Sequence, residues 1–158
     1  MGNYLNPGNE KFRRMIQSEI YVDKTELIQY TNSVLFGEQK YICVSRPRRF
    51  GKSMAANMLT AYYSRGCDSR KLFQGLKIAT HPDFEKHLNQ YNVIHLNMQS
   101  FLSKTQTIEQ MIALITKAVG RDLLRTYPDI DYLDKSILTF MLDDIYQNYQ
   151  VPFIFIID

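Results

Sequence analysis

The sequence predicts an α/β fold in which helices cover both faces of a mainly parallel sheet. Apolar runs of strand type occur at 40–45, 93–98 and 153–157, and segments with helical spacing separate them. The run at 153–157 is apolar throughout rather than alternating, which is typical of a strand buried on both faces. Strands that alternate with helices favour parallel pairing through right-handed crossovers.

The helices can be placed in chain order from apolar spacing and from residues that cap or interrupt a helix. Asp23 or Thr25 is suited to cap the second helix, Thr107 begins a capping box, and Asp134 is suited to cap the last helix. We therefore expect helices over 9–17, from the 23–25 cap towards Gly37, from Ser53 to Gly66, over 82–88, from Thr107 to Pro128, and from Asp134 to Tyr149.

Length and composition indicate one globular domain. The chain has 158 residues, of which 45% are hydrophobic and 22% charged, so it can bury one sizeable core. We expect residues 1–39 to form a helical lead-in and residues 40–158 to form a nucleotide-binding core that is incomplete. A formal net charge of +3 does not select nucleic acid or a membrane as a partner. Cys43 and Cys67 have no metal-ligand spacing and are read as reduced packing residues.

The N-terminus lacks the apolar stretch of a signal peptide, and the longest apolar run, 153–157, is far shorter than a membrane span. We therefore expect a cytoplasmic protein without membrane contact.

The segment from Arg46 to Ser53, here named the phosphate loop, matches the second half of the Walker A motif. Gly51 lets backbone N–H groups approach an oxyanion, Lys52 reaches the β and γ phosphates, and Ser53 offers a hydroxyl to Mg²⁺. The following helix points the positive end of its dipole at the same place. Arg46 stands where the general motif has its first Gly, so the match is partial.

A second, independent element ends the chain. The run 153–157 followed by Asp158 has the form of a Walker B strand, whose Asp holds Mg²⁺. Because parallel strands share one carboxyl edge, we expect Asp158 to face the same crevice as Lys52 and Ser53. Taken alone, an Asp after an apolar strand is also explained as the start of a turn.

At these residues the sequence resembles the bacterial AAA-ATPase-like family, whose members often carry a C-terminal domain similar to PD-(D/E)XK nucleases. The resemblance spans nearly the whole chain and lies in the strings Tyr21–Thr25, Arg46–Ser53, Leu72–Ile78 and Ile156–Asp158. It implies a three-layer α/β/α P-loop fold with ATP and Mg²⁺ as ligands. Arg at the first position of the loop is usual in that family, so Arg46 does not argue against nucleotide binding.

The resemblance also implies what would follow Asp158. The acid that orients the attacking water is expected at the next position, so the catalytic residue is unknown, and the chain is expected to be truncated at the Walker B strand. The next strand would lie between strands 40–45 and 153–157. We therefore expect either direct pairing of these two strands or a dimer through the open edge, with Asp158 mobile at the chain end.

The predicted function is binding of Mg-ATP, with hydrolysis expected of the full-length protein but not of this fragment. The alternative is a nucleotide-gated binding module or switch with little turnover. A small-molecule kinase is a third possibility, disfavoured by the family-like strings on both sides of the loop. Nucleic acid enters only by analogy with the C-terminal domain of relatives, so we expect at most weak, salt-sensitive DNA binding.

Several residues keep two interpretations at this stage. Arg48 and Arg49 could hold phosphate together with Phe50 or contact another subunit of a homo-oligomer, but arginines on a loop are as often solvated. Asp23 and Lys24 are explained equally well as a helix cap and a surface charge. His81, His87 and His95 are not at metal-ligand spacing, which favours structural roles.

Overall fold

The computed structural model of the chain describes residues 2–45, 47 and 50–158. These residues form two compact units, one built from the residues up to Pro7 together with Tyr91–Asp158 and the other from Gly8–Gln90. The first unit contains a two-stranded parallel sheet and helices, so the predicted α/β class is confirmed. No helix in the described ranges is both long and apolar enough to cross a membrane.

The unit Gly8–Gln90 is helical. The predicted helices of this unit are confirmed, with bounds α1 Glu10–Ile16, α2 Glu26–Val34, α3 Lys52–Tyr63 and α5 Phe84–His87. Two short elements were not predicted, α4 Arg70–Phe73 and a 3-10 helix Lys77–Thr80. Both have only four residues, too few to show an apolar period in the sequence.

Aromatic rings form the centre of this helical unit. The Phe73 ring stacks on Phe12 at 5.0 Å between centroids, and the Tyr62 ring meets Phe73 edge-on at 5.5 Å. Phe12, Tyr62 and Phe73 are each at most 1% exposed. Tyr62 also donates its hydroxyl to the Phe84 carbonyl at 2.7 Å, so a buried phenol has its polar partner. This packing fixes α1, α3 and α4 against one another.

The strand predicted over 40–45 is wrong. These residues are not in a strand, and their side chains are exposed, with Tyr41 at 87%. An apolar run gives only a propensity for a strand, which forms when a neighbour supplies backbone partners and burial. Because this strand does not form, direct pairing with 153–157, the first of the two predicted alternatives, is wrong, and the dimer stays a prediction. Cys43 is exposed, so its predicted packing role is wrong as well.

The unit with the sheet follows the order β1 Asn92–Leu96, α6 Met98–Leu102, α7 Ile108–Thr126, α8 Leu138–Tyr149 and β2 Phe153–Ile157. The two strands are parallel, in register from Asn92 opposite Phe153 to Leu96 opposite Ile157. Helices α6 to α8 form the crossover that a parallel pair requires. Both predicted strands of this part of the chain are confirmed.

The second edge of β1 is covered by the N-terminal segment. Leu5 forms an antiparallel bridge with Ile94, Asn6 N donates to Val93 O at 2.7 Å, and His95 N donates to Tyr4 O at 2.9 Å. The buried carboxylate of Asp122 on α7 accepts from Tyr4 N at 2.7 Å. This pairing was not predicted, because a single bridge leaves no periodic pattern in the sequence.

The core of this unit lies between the sheet and helices α6 to α8, and its buried members are Leu5, Ile94, Leu96, Phe101, Val119, Leu123, Tyr127, Ile130, Tyr132, Met141 and Ile145. All five residues of β1 are buried. In β2, Ile156 is 8% exposed, whereas Phe155 and Ile157 are 51% and 65% exposed. The prediction that β2 is covered on both faces is therefore wrong in the described structure.

The predicted cap of α7 is confirmed, whereas the predicted cap of α8 is wrong. The Thr107 hydroxyl accepts from Gln110 N at 3.2 Å at the start of α7, as the capping box predicts. Asp134 does not cap α8, because its carboxylate accepts from both N and Oγ of Ser136, at 2.7 and 2.6 Å. This turn satisfies the carboxylate locally, and α8 begins four residues later, at Leu138.

Candidate phosphate-binding site

The candidate site is built at the start of α3. Gly51 is the N-cap residue and lies in the left-handed region, with φ 82° and ψ 28°. A non-glycine residue is strained in this conformation. The helical hydrogen bonds begin with Ala55 N, which donates to Gly51 O at 3.0 Å. Lys52 and Ser53 therefore form the exposed first turn of a helix of 12 residues.

The first turn has the electrostatic character of an anion site. The first backbone N–H groups of a helix have no acceptor within the helix, and the helix dipole adds partial positive charge there. No acidic residue lies in the first turn of α3, and Gly51 provides no side-chain cap. The arrangement therefore favours a bound anion at Gly51, Lys52 and Ser53.

The remaining predicted residues of the loop are only partly described. Arg46, Arg48 and Arg49 lie outside the described residues. Phe50 is described, with its ring 61% exposed and its carbonyl oxygen accepting from Lys24 Nζ at 3.0 Å. The proposed phosphate contacts of Arg48 and Arg49 stay predictions.

Lys24 reaches the phosphate loop from the segment before α2. Besides the bond to Phe50 O, its ammonium nitrogen lies 3.1 Å from the position that a Cβ on Gly51 would take. Residue 51 is therefore restricted twice, by its backbone conformation and by this close ammonium group. The sequence interpretation of Lys24 as a surface charge missed this contact.

The residues on either side of Lys24 are tied to the 3-10 helix. One Asp23 oxygen accepts from Thr25 N at 2.9 Å and Thr25 Oγ1 at 2.7 Å, and the other accepts from Lys77 N at 2.8 Å. Thr25 Oγ1 in turn accepts from Ile78 N at 3.1 Å, and Thr25 is fully buried. The strings Tyr21–Thr25 and Leu72–Ile78 thus meet in one hydrogen-bonded network, here named the Asp23 clamp.

The pKa values of Asp23 and of the nearby Tyr21 are both shifted. Burial by itself would raise the pKa of Asp23, but hydrogen bonds from Thr25 and Lys77, with the Lys77 charge, hold it below the ordinary value. Burial and the neighbouring Asp23 charge raise the pKa of Tyr21 to about 12. Asp23 therefore stays ionised at neutral pH and Tyr21 stays protonated.

Asp158 follows β2 and belongs to the other compact unit. Its N–H donates to Leu96 O at 2.9 Å, and its carbonyl accepts from Met98 N at 2.8 Å. These bonds continue the pairing between the two strands beyond β2, so the prediction of a mobile Asp158 is wrong. Lys52 and Ser53 lie in the unit Gly8–Gln90, and a joint site with Asp158 stays a proposal.

Ser53 and Asp158 offer the donor types that Mg²⁺ prefers, a hydroxyl and a carboxylate oxygen. Ser53 is exposed and Asp158 is partly exposed, so both side chains are accessible to solvent. The described part of the chain contains no cluster of three or more His, Cys, Asp or Glu side chains suited to a metal ion. Each side chain is thus chemically suited to contribute one ligand to a magnesium ion whose other ligands are phosphate and water.

A Gly-Lys-Ser sequence at a helix start, and an acid directly after a parallel strand, are typical of ATPases that bind nucleotide through a phosphate loop. The model of the AAA-ATPase-like family, described as "Predicted AAA-ATPase", matches residues 7–158. The chain belongs to this family. Comparisons with curated proteins and with solved structures gave no match.

Proposed function

We propose that the chain binds ATP through the start of α3, within a P-loop fold of the three-layer α/β/α type. The observation that carries the proposal is Gly51 in the left-handed conformation directly before α3, with Lys52 and Ser53 exposed in the first turn. Family membership supports the same ligand. In this proposal the backbone N–H groups of the first turn receive phosphate oxygens and Lys52 contacts the β and γ phosphates.

Magnesium is the proposed second ligand. Ser53 and Asp158 would hold it, and the ion would neutralise charge that develops on the phosphate oxygens. The chain's own contribution is to orient the phosphates by the amides of α3 and the Lys52 ammonium group.

Hydrolysis of ATP is the proposed reaction, with water as the acceptor of the phosphoryl group. It requires a group that orients the attacking water in addition to the groups that bind the phosphates. A switch that holds nucleotide with little turnover needs only the binding groups. Phosphate release by the full-length protein, measured with and without Lys52→Ala, separates the two: steady release that requires Lys52 belongs to an ATPase, and ATP binding without release belongs to a switch.

Isothermal titration of ATP in the presence of Mg²⁺ tests the binding proposal. We expect Lys52→Ala to weaken binding by roughly ten- to a hundredfold, because a charge-assisted contact to phosphate is lost. Lys71→Ala is the matched control, since it removes the same charge from an exposed position on α4. The proposal is wrong if the chain binds no ATP, or if both variants bind it as tightly as the unaltered chain.

A further inference from the structure

The function of the Tyr21–Thr25 string is not explained by the phosphate loop alone. Lys24 is an exposed side chain, yet its ammonium group donates to the Phe50 carbonyl at 3.0 Å. Phe50 directly precedes Gly51, the N-cap residue of α3. A single lysine therefore connects the segment before α2 to the residue at which the loop turns into the helix.

The backbone of Lys24 is fixed on both sides. Asp23 is bonded to Thr25 and to Lys77 N, and Thr25 is bonded to Ile78 N. Among the hydrogen bonds of the described residues, Lys24 is the one of these three whose side chain reaches the phosphate loop, at Phe50. The Asp23 clamp thus provides a rigid base from which the Lys24 side chain spans to Phe50.

The placement of Lys24 is electrostatically unfavourable without an anion. A cation is disfavoured at the N-terminal end of a helix, because the dipole carries positive charge there. None of the ion pairs described for the chain involves Lys24, and both Asp23 oxygens already accept hydrogen bonds. A bound phosphate group would reverse the sign of this interaction, because the anion attracts Lys24, Lys52 and the helix end together.

We propose that Lys24 is a positioning residue of the phosphate loop. Its ammonium group holds the Phe50 carbonyl, so that Gly51 keeps its left-handed conformation and the first amides of α3 stay directed at the ligand. This inference rests on the proposed nucleotide binding and assigns a role to the Tyr21–Thr25 string. The Asp23 clamp and the Lys24 side chain together connect the 3-10 helix Lys77–Thr80 to Phe50 by hydrogen bonds.

Two measurements on the whole chain test the role of Lys24. Amide hydrogen exchange of Ala55, whose N–H donates to Gly51 O, reports without nucleotide whether the start of α3 is held. Titration with ADP reports whether the loop binds phosphate. The variants are Lys24→Met, which removes the charge and the donors, Lys24→Arg, which keeps both, and Lys71→Met as the control on α4.

We expect Lys24→Met to accelerate exchange at Ala55 N, because its acceptor Gly51 O is held less firmly, and to weaken ADP binding roughly three- to tenfold. Lys24→Arg is expected to bind ADP more tightly than Lys24→Met, since a guanidinium also donates to a carbonyl. Lys71→Met should match the unaltered chain in both measurements. A merely structural role would lower the free energy of unfolding in urea without this recovery by Arg.

Unchanged exchange in Lys24→Met would overturn the inference. Unchanged ADP affinity in Lys24→Met, or no recovery in Lys24→Arg, would overturn it as well. If the unaltered chain binds no ADP, the proposed function fails, and the exchange comparison alone decides whether Lys24 holds the loop.

Discussion

At the scale of single residues, Gly51 carries the strictest requirement in the described site. Its φ of 82° is costly for any residue with a Cβ, and a Cβ there would lie 3.1 Å from Lys24 Nζ. We expect Gly51→Ala to lower the free energy of unfolding by about 1–2 kcal/mol. Urea unfolding measures the effect.

Gly37→Ala is the control for this substitution. Gly37 does not have a positive φ, and its nearest neighbour, Val34 O, would lie 3.6 Å from the new Cβ, which is ordinary contact. Equal effects of the two substitutions would show that the conformation of Gly51 is not restrictive.

Among single residues, Asp23 also makes the stability of the fold depend on pH. Because the pKa of Asp23 is lowered in the folded chain, its carboxylate stabilises the fold fully above the unfolded value of 3.8. This contribution is lost as the pH falls through the lower folded pKa. We expect the stability difference between the unaltered chain and Asp23→Asn to be largest at neutral pH and to shrink below about pH 4.

Thermal unfolding across this pH range measures that difference. Asp83→Asn is the control, because Asp83 is exposed and its carboxylate accepts no hydrogen bond among those described. A stability difference for Asp23→Asn that stayed constant down to the lowest pH would contradict the role of the ionised clamp.

At the scale of elements, β2 shows what burial contributes within one strand. Ile156 is buried, at 8% exposure, whereas its neighbour Phe155 is 51% exposed. We expect Ile156→Ala to cost about 2–4 kcal/mol in the free energy of unfolding. Phe155→Ala should cost about 1 kcal/mol or less, because less of its surface is buried. Urea unfolding of both variants would contradict this view if the two costs were equal.

Elements were predicted correctly where the sequence carries a strong local pattern. Helix α7 has 19 residues with a capping box, and its start at Ile108 was predicted from Thr107 and Gln110. The run 40–45 resembles a strand in sequence, as do the runs that form β1 and β2, but it has no strand partner in the described chain. Whether a strand finds a partner depends on the whole fold. Lys24 carried no local signal for its contact with Phe50, since 26 residues separate the two.

The candidate site also has one part that the local sequence predicted and one part that it did not. The Gly-Lys-Ser motif predicted that Gly51, Lys52 and Ser53 lie at the start of a helix. This prediction was possible because a left-handed glycine before a helix is a local feature. The Asp23 clamp joins residues more than 50 positions apart, from Asp23 to Lys77 and from Thr25 to Ile78. Such contacts depend on packing of the helices, which one sequence does not reveal.

At the scale of the whole molecule, the outer edge of β2 bears on self-association. Backbone groups alternate in direction along a strand, and Asp158 N and O point to β1. By this alternation the groups of Phe155 point outward, where no strand pairs with β2 in the described structure. We expect a dimer that forms through this edge, since unpaired edges favour pairing with another chain.

Sedimentation at increasing protein concentration measures this association. Phe155→Pro removes an outward N–H while leaving the bonds to β1, so we expect it to reduce dimer formation. Phe155→Ala, which keeps the N–H, is the control. A chain that stays monomeric at all concentrations, or a dimer unaffected by proline, would contradict the prediction.

The bridge between Leu5 and Ile94 bears on the order of events during synthesis. Tyr4 and Asn6 are made before their partners Val93 and His95, which follow almost 90 residues later. At typical elongation rates, roughly 5–20 seconds pass before β1 exists to receive the N-terminal segment. The continuous stretch Gly8–Gln90 can fold within that interval. The segment that pairs with β1 is thus made long before it can reach its place, and it remains available to a chaperone until β1 emerges.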